Sequence, residues 1–123
     1  MDLKGHHTFS NLAVQGIMGY HPEELLNAKM NDLVHPDDRE MLQELLASSI
    51  RLKQGWRNVV VRWRHKNGSW RYLESNSIPV LGSDGTLKGF QGADRDITDR
   101  KIAEDALRES EEKYRTLVEN ASE

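Results

Sequence analysis

The chain has 123 residues, 30% of them charged and 37% hydrophobic, with a formal net charge of −3 and no cysteine, which leaves room for one small domain. The missing thiol excludes disulfides, thiolate catalysis and Cys-ligated zinc, and no apolar run of about 18 residues or secretory leader pattern is present. Residues 99–123 hold eight acids against five bases while residues 1–98 hold twelve of each, so the basic excess expected of a nucleic-acid binder is lacking.

In chain order, Met1 to Gly5 reads as a turn leading into a short strand candidate, His6 to Ser10. A domain rarely opens in a turn, so a strand before Asp2 is expected to be cut away or supplied by another molecule. Asn11 to Ile17 reads as a weak helix that Gly19 closes. In His21-Pro22-Glu23-Glu24-Leu25-Leu26, Pro suits the first helical position and the two Glu suit the first turn, so a second short helix starts there. Asp32 to Arg39 repeats that grammar before a longer helix, whose apolar face is predicted to hold Met41, Leu42, Leu45, Leu46 and either Ser49 or Ile50.

Gly55 ends that helix and the pattern turns β. Trp56 to His65 is predicted as a strand, Lys66 to Ser69 as a hairpin turn and Trp70 to Leu81 as the returning strand. Gly82 to Gly85 is a second turn and Leu87 to Ile97 a third long strand. The fold class is therefore α+β, built on an antiparallel sheet. Thr98 is a good N-cap for the Gly- and Pro-free stretch that follows, and Asp99 places a carboxylate in its first turn. On this terminal helix Ala103, Leu107, Ser110, Tyr114, Leu117 and Ala121 recur at spacings of four and three, the seam of a two-helix contact. Glu104 with Arg108, Glu109 with Lys113 and Glu111 with Arg115 stand four apart in the better orientation. Folding back onto the sheet is an equal alternative for the first turn or two, whereas beyond Ser110 pairing with a second copy is expected.

Four stretches resemble the PAS family: Gly19 to Leu25, Val34 to Arg39, Arg62 to Tyr72, and Gly92 to Arg100 with Asp96-Ile97-Thr98. Ala103 to Arg115 resembles the linker that joins successive PAS domains in sensor histidine kinases and cyclic-dinucleotide enzymes such as diguanylate cyclases. The resemblance implies a sensory domain over residues 1–98, a signalling helix over 99–123, and a five-stranded sheet whose first strand is missing here, with helices on one face. It also implies a ligand pocket over the inner sheet face. Strand alternation puts Val59, Val61, Trp63, Leu73, Ser75, Ser77, Phe90, Gly92 and Asp94 on that face. Ser75, Ser77 and Asp94 stand out among them, because a polar group facing a small core needs a partner, a ligand or water; for Asp94 a hydrogen bond to a neighbouring strand or a place at the open rim is the simpler reading, and a small polar ligand the sharper one. Asp96 and Thr98 are expected to latch the start of the helix to the domain.

Several chemistries are weighed against simpler explanations. His6 and His7 point to opposite faces of a strand, and His35 belongs to a structural His-Pro-Asp-Asp turn, so no metal site is expected. The long helix lacks the histidine that haem-binding relatives use, and the absent cysteine excludes light-driven flavin adduct formation; the cofactor stays open. Residues 51–73 carry seven bases, no acid and three Trp, a composition that suits single-stranded nucleic acid. Alternation, however, sends Arg62 and Arg64 outward and Trp63 inward, which favours a solvated basic face. No catalytic constellation is present. The expected function is a cytoplasmic, homodimeric PAS sensor and relay that takes a small-molecule ligand or a dimer rearrangement to a downstream output domain, with a ligand-free dimerisation spacer as the alternative.

Overall fold

The computed structural model describes residues 1–5, 13–26 and 28–121; the strand candidate at His6 to Ser10 lies outside them. Short helices α1 (Ala13–Met18), α2 (Pro22–Leu25) and α3 (Met30–Leu33) lead through a 3-10 turn at Pro36–Asp38 into α4 (Arg39–Leu52). Strands β1 (Trp56–Arg64), β2 (Trp70–Leu81) and β3 (Leu87–Asp96) form an antiparallel sheet in the order β1-β2-β3, and α5 (Thr98–Ala121) follows.

The expected first strand is not among the described elements. Among the described residues Met1 lies against the outer edge of β3, exchanging both backbone hydrogen bonds with Phe90 at 2.9 Å in the antiparallel manner. A Cβ on the neighbouring Gly89 would come 2.5 Å from the Met1 carbonyl oxygen, so glycine allows this approach. Burial lowers the pKa of the Met1 amine.

Local residue chemistry explains the short elements. Pro22 opens α2, and the Glu24 carboxylate reaches back to accept from the His21 N–H at 3.1 Å. The same carboxylate receives Lys66 Nζ at 2.8 and 2.9 Å, tying α2 to the β1–β2 turn. His35 Nδ1 accepts from the Asp37 N–H at 3.1 Å and its ring lies 4.5 Å from that of Trp70, the structural role expected of this turn.

The 3-10 turn then docks on the free edge of β1. His35 N–H donates to the Arg62 carbonyl at 2.9 Å, and the Asp38 carboxylate accepts from the Arg62 backbone N–H (2.9 Å), Nε (3.1 Å) and Nη2 (2.8 Å). Arg62 is therefore not part of a solvated basic face: the edge-facing backbone of that residue draws Asp38 to it, and the guanidinium follows. These bonds hold the Asp38 carboxyl below its ordinary pKa, Arg62 supplying the largest contribution.

The core sits where α3 and α4 cover the β1 side of the sheet, with Met30, Val34, Leu42 and Val61 buried and Leu45, Leu46, Val59 and Trp63 packed against them. Of the alternatives on α4, Ser49 is the buried one, while Met41 is exposed. On α5 only Lys101 and Asp105 beyond Thr98 are even half-buried, so the helix does not fold back on the sheet. Its ion pairs also differ from expectation: Arg108 meets Asp105 at 3.4 Å and Glu104 meets Arg100 at 3.5 Å.

Asp38 and Asp37 separate the docking bond from general turn acidity. Asp38→Ala is expected to lower unfolding free energy by about 2 kcal/mol, the scale of hydrogen bonds to a charged partner. Asp37→Ala, at an exposed carboxylate, should stay within about 0.5 kcal/mol, both read from urea unfolding midpoints.

Candidate functional site

Strand register decides which expected site residues share a face. Val61 stands opposite Leu73 and Leu73 opposite Asp96; Val59 stands opposite Ser75 and Ser75 opposite Asp94; Ser77 stands opposite Gly92. Cross-strand partners point the same way, so these rows lie on the inner face together with Trp63, Arg71 and Phe90.

Their surroundings differ along the face. Val61, Leu73, Ser77 and Phe90 are buried and Val59, Trp63 and Ser75 half-buried, whereas Gly92 and Asp94 are exposed. Asp94 thus does not face a closed core: the described helices cover the β1 side, and β3 lies at the rim. Ser77 Oγ donates to the Gln91 carbonyl at 3.4 Å, and Ser75 Oγ accepts from the Trp56 indole Nε1 at 3.0 Å.

Alternation alone does not find Trp56, because counting back from Val61 and Val59 sends an even-numbered residue outward. The register shifts between Trp56 and Val59, and Asn58 adopts a left-handed φ of 55° with its N–H bonded to Asn76 Oδ1 at 3.0 Å. This bulge returns Trp56 to the inner face opposite Ser77, where its ring lies 5.1 Å from Phe90. The available signal was Asn58 itself, a residue tolerant of left-handed backbone inside a Val-rich strand.

The junction of β3 and α5 gathers the remaining expected residues. Asp96 accepts from the Thr98 backbone N–H at 2.9 Å and from its hydroxyl, and from Arg71 Nε at 3.0 Å and Nη2. Thr98 Oγ1 in turn accepts from the Tyr72 N–H at 2.9 Å, and Ile97 N–H donates to the Tyr72 carbonyl at 2.9 Å. Thr98 is therefore not the N-cap. The helix already includes it, and the Asp96 side chain performs the capping two residues upstream because the Thr98 hydroxyl is committed to β2.

Burial pushes the Asp96 carboxyl up, and the bonds from Thr98 and Arg71 outweigh it, leaving the pKa below its ordinary value. On the outer face Glu74 receives Arg95 at 3.1 Å and Arg100 of the first α5 turn at 3.7 Å. A cleft of about 320 Å³ at this junction is lined by Arg71, Arg95, Asp96, Ile97, Asp99 and Arg100. Its arginines already face carboxylates, so the cleft carries little surplus charge. What the arrangement can do chemically is hold a helix start rigidly to two strands.

The family model described as PAS fold matches residues 7–93. This chain belongs to the PAS fold family. A PAS domain structure from Colwellia psychrerythraea aligns with it at a TM-score of 0.71 and 28% identity, covering 80% of this chain and 82% of that one. A sensory box histidine kinase/response regulator from Burkholderia thailandensis aligns at 0.70 and 31% identity, covering 88% and 81%. Hybrid signal transduction histidine kinase L of Dictyostelium discoideum is 30% identical over 105 residues, 85% of this chain and 6% of that protein. The chain spans 12% or less of the length of the curated relatives it matches. This PAS domain is thus homologous to domains of sensor histidine kinases, and no helix among its described residues is long and apolar enough to cross a membrane.

The depressed Asp96 pKa fixes the sign of a pH effect on this PAS domain. Its stabilisation is fully present above the ordinary value of 3.8 and disappears as pH falls through the lower folded value. The difference in urea midpoint between wild type and Asp96→Asn is expected to stay level from about pH 7 to pH 5 and to shrink below about pH 4. A difference that instead shrank between pH 7 and pH 5 would contradict the assignment.

Proposed function

We propose that this PAS domain is the sensory and relay module of a cytoplasmic signalling protein, passing a rearrangement of its inner face, or of a dimer, through α5 to a downstream kinase or cyclase. The observation that carries the reading is the position of the Asp96 carboxylate, bonded at once to Arg71 on β2 and to Thr98 at the start of α5. Asp96 lies on the same sheet face as Val61 and Leu73, so a shift of β3 against β2 alters the helix cap directly. Residues 1–98 then form the sensing unit and 99–123 the output helix.

The exposure of the seam supports a homodimer. Ala103, Leu107, Ser110, Tyr114, Leu117 and Ala121 all face solvent in the single chain, Tyr114 at 72% and Leu117 at 68%. A second copy in parallel would cover them and place two output helices side by side. Nucleic acid is disfavoured because Arg62, Lys66 and Arg71 are engaged by Asp38, Glu24 and Asp96.

The second reading, a ligand-free dimerisation spacer, is favoured by one observation: Ser75 and Ser77 are satisfied by Trp56 and Gln91 within the chain. Native mass spectrometry separates the two readings, a dimer retaining a small molecule supporting the sensor and an empty dimer the spacer. In the full-length parent protein, Asp96→Ala is expected to abolish the response of output to stimulus while the domain still unfolds cooperatively; an unchanged response refutes the relay. Leu107→Asp combined with Leu117→Asp should raise the dimer dissociation constant at least about tenfold in sedimentation experiments, since each buried Leu is worth about 1.5–3 kcal/mol.

A further inference from the structure

On the inner face of the sheet, three small residues lie together where bulk would be expected. Ser77 stands opposite Trp56 and opposite Gly92, and Ser75 is the next inward residue along β2. With Phe90 at one end they form a shallow trough, and the Trp56 indole lies in it. The indole reaches across β2 from β1, donating Nε1–H to Ser75 Oγ at 3.0 Å and meeting the Phe90 ring at 5.1 Å and 45°. A flat ring, one aromatic wall and one acceptor for one N–H are complementary in shape and polarity.

The backbone is bent to put the side chain there. Lys53 ends α4 with φ 52°, and Asn58 bulges β1 with φ 55°. Gly55 passes so close to β2 that a Cβ would stand 1.8 Å from the Ser77 carbonyl oxygen. Two left-handed non-glycine residues each cost conformational energy, and with the close approach they bracket the segment that aims Trp56. The indole is half-buried rather than enclosed, so it can leave without the sheet opening.

We propose that this trough is a binding site for a flat, indole-sized aromatic ligand with one N–H donor, which the chain fills with its own Trp56 and which a ligand enters by displacing that side chain. Trp56 then acts as a built-in occupant. For its signalling consequence the inference rests on the sensory reading above: Ser75 stands opposite Asp94, and Asp96 is the next residue on that face of β3. Withdrawal of the indole frees the Ser75 hydroxyl two residues from the carboxylate that caps α5.

The test uses free indole as the probe. Trp56→Gly vacates the trough, and indole at millimolar concentration is expected to raise the melting temperature of the folded variant by about 3 °C. Indene, of the same shape without the N–H, should raise it less, and adding Ser75→Ala should remove that difference. In the wild type, indole should shift the Trp56 Nε1–H resonance in a nitrogen–proton correlation spectrum, assigned through Trp56→Phe, and leave those of Trp63 and Trp70 in place. A folded Trp56→Gly that melts identically with and without indole overturns the site. Stabilisation of that variant with an unmoved wild-type resonance overturns entry by displacement. Should the glycine variant not fold, Trp56→Ala replaces it, and if neither folds the wild-type titration decides. Neither measurement reads signalling, so failure of the relay reading leaves both results standing.

Discussion

The arrangement depends on one carboxylate kept charged at the end of a sheet. Asp96 is the last residue of β3 and lies opposite the buried Leu73, a position that penalises charge. Arg71 on one side and Thr98 on the other compensate it, so the group stays ionised and draws strand and helix together. Without that bond, the described links from α5 to the sheet would be the Ile97–Tyr72 backbone bond, the bond from the Tyr72 N–H to the Thr98 hydroxyl and the pair of Arg100 with Glu74. Exposed pairs of this kind are each worth at most about 1 kcal/mol. The grip on the helix is therefore concentrated on the inner face, the face on which the core is built.

Much of this was legible because it follows from local rules. The Gly55 stop, the Asn67-Gly68 turn and the alternation of Val59, Val61 and Trp63 place the three strands correctly, and Pro22 and Pro36 mark where short helical turns begin. The failures come from tertiary competition for single groups. Thr98 has the chemistry of a cap, yet its hydroxyl is claimed by the Tyr72 N–H across the sheet, which passes the capping role to Asp96. Arg62 alternates outward on paper, yet its backbone lies on an open strand edge and Asp38 comes to it. Asp94, by contrast, alternates inward and is exposed, which agrees with the simpler reading of it as a residue of the open rim. Trp56 is hidden by a one-residue bulge, since a single left-handed residue reverses the face of everything before it.

The same bulge explains why the inner face carries two serines. A Val or Leu at position 75 or 77 would occupy the space that the indole takes, and Ser75 offers that indole an acceptor which an aliphatic residue lacks. The polar groups on this face are thus matched to a neighbour within the chain. An occupant able to make the same bond would be favoured over one that leaves Ser75 without it.

If two copies pair as proposed, the terminal helix would associate weakly. Its seam combines Leu107, Tyr114 and Leu117 with Ala103, Ser110 and Ala121, so only three positions per chain offer large apolar groups, each worth about 1.5–3 kcal/mol when fully buried. Pairing two molecules costs on the order of 4–15 kcal/mol in lost freedom, and the whole formal excess of −3 lies on residues 99–123, so two such helices side by side repel. A pair held by this seam alone would sit near the threshold between association and separation. Near that threshold a change of about 1.4 kcal/mol at the cap shifts the equilibrium tenfold, whereas a seam filled with Leu and Ile would absorb the same change without responding. Small residues at three of the six seam positions would therefore suit the proposed pair, whose association would be set by how firmly Asp96 holds the first turn of the helix.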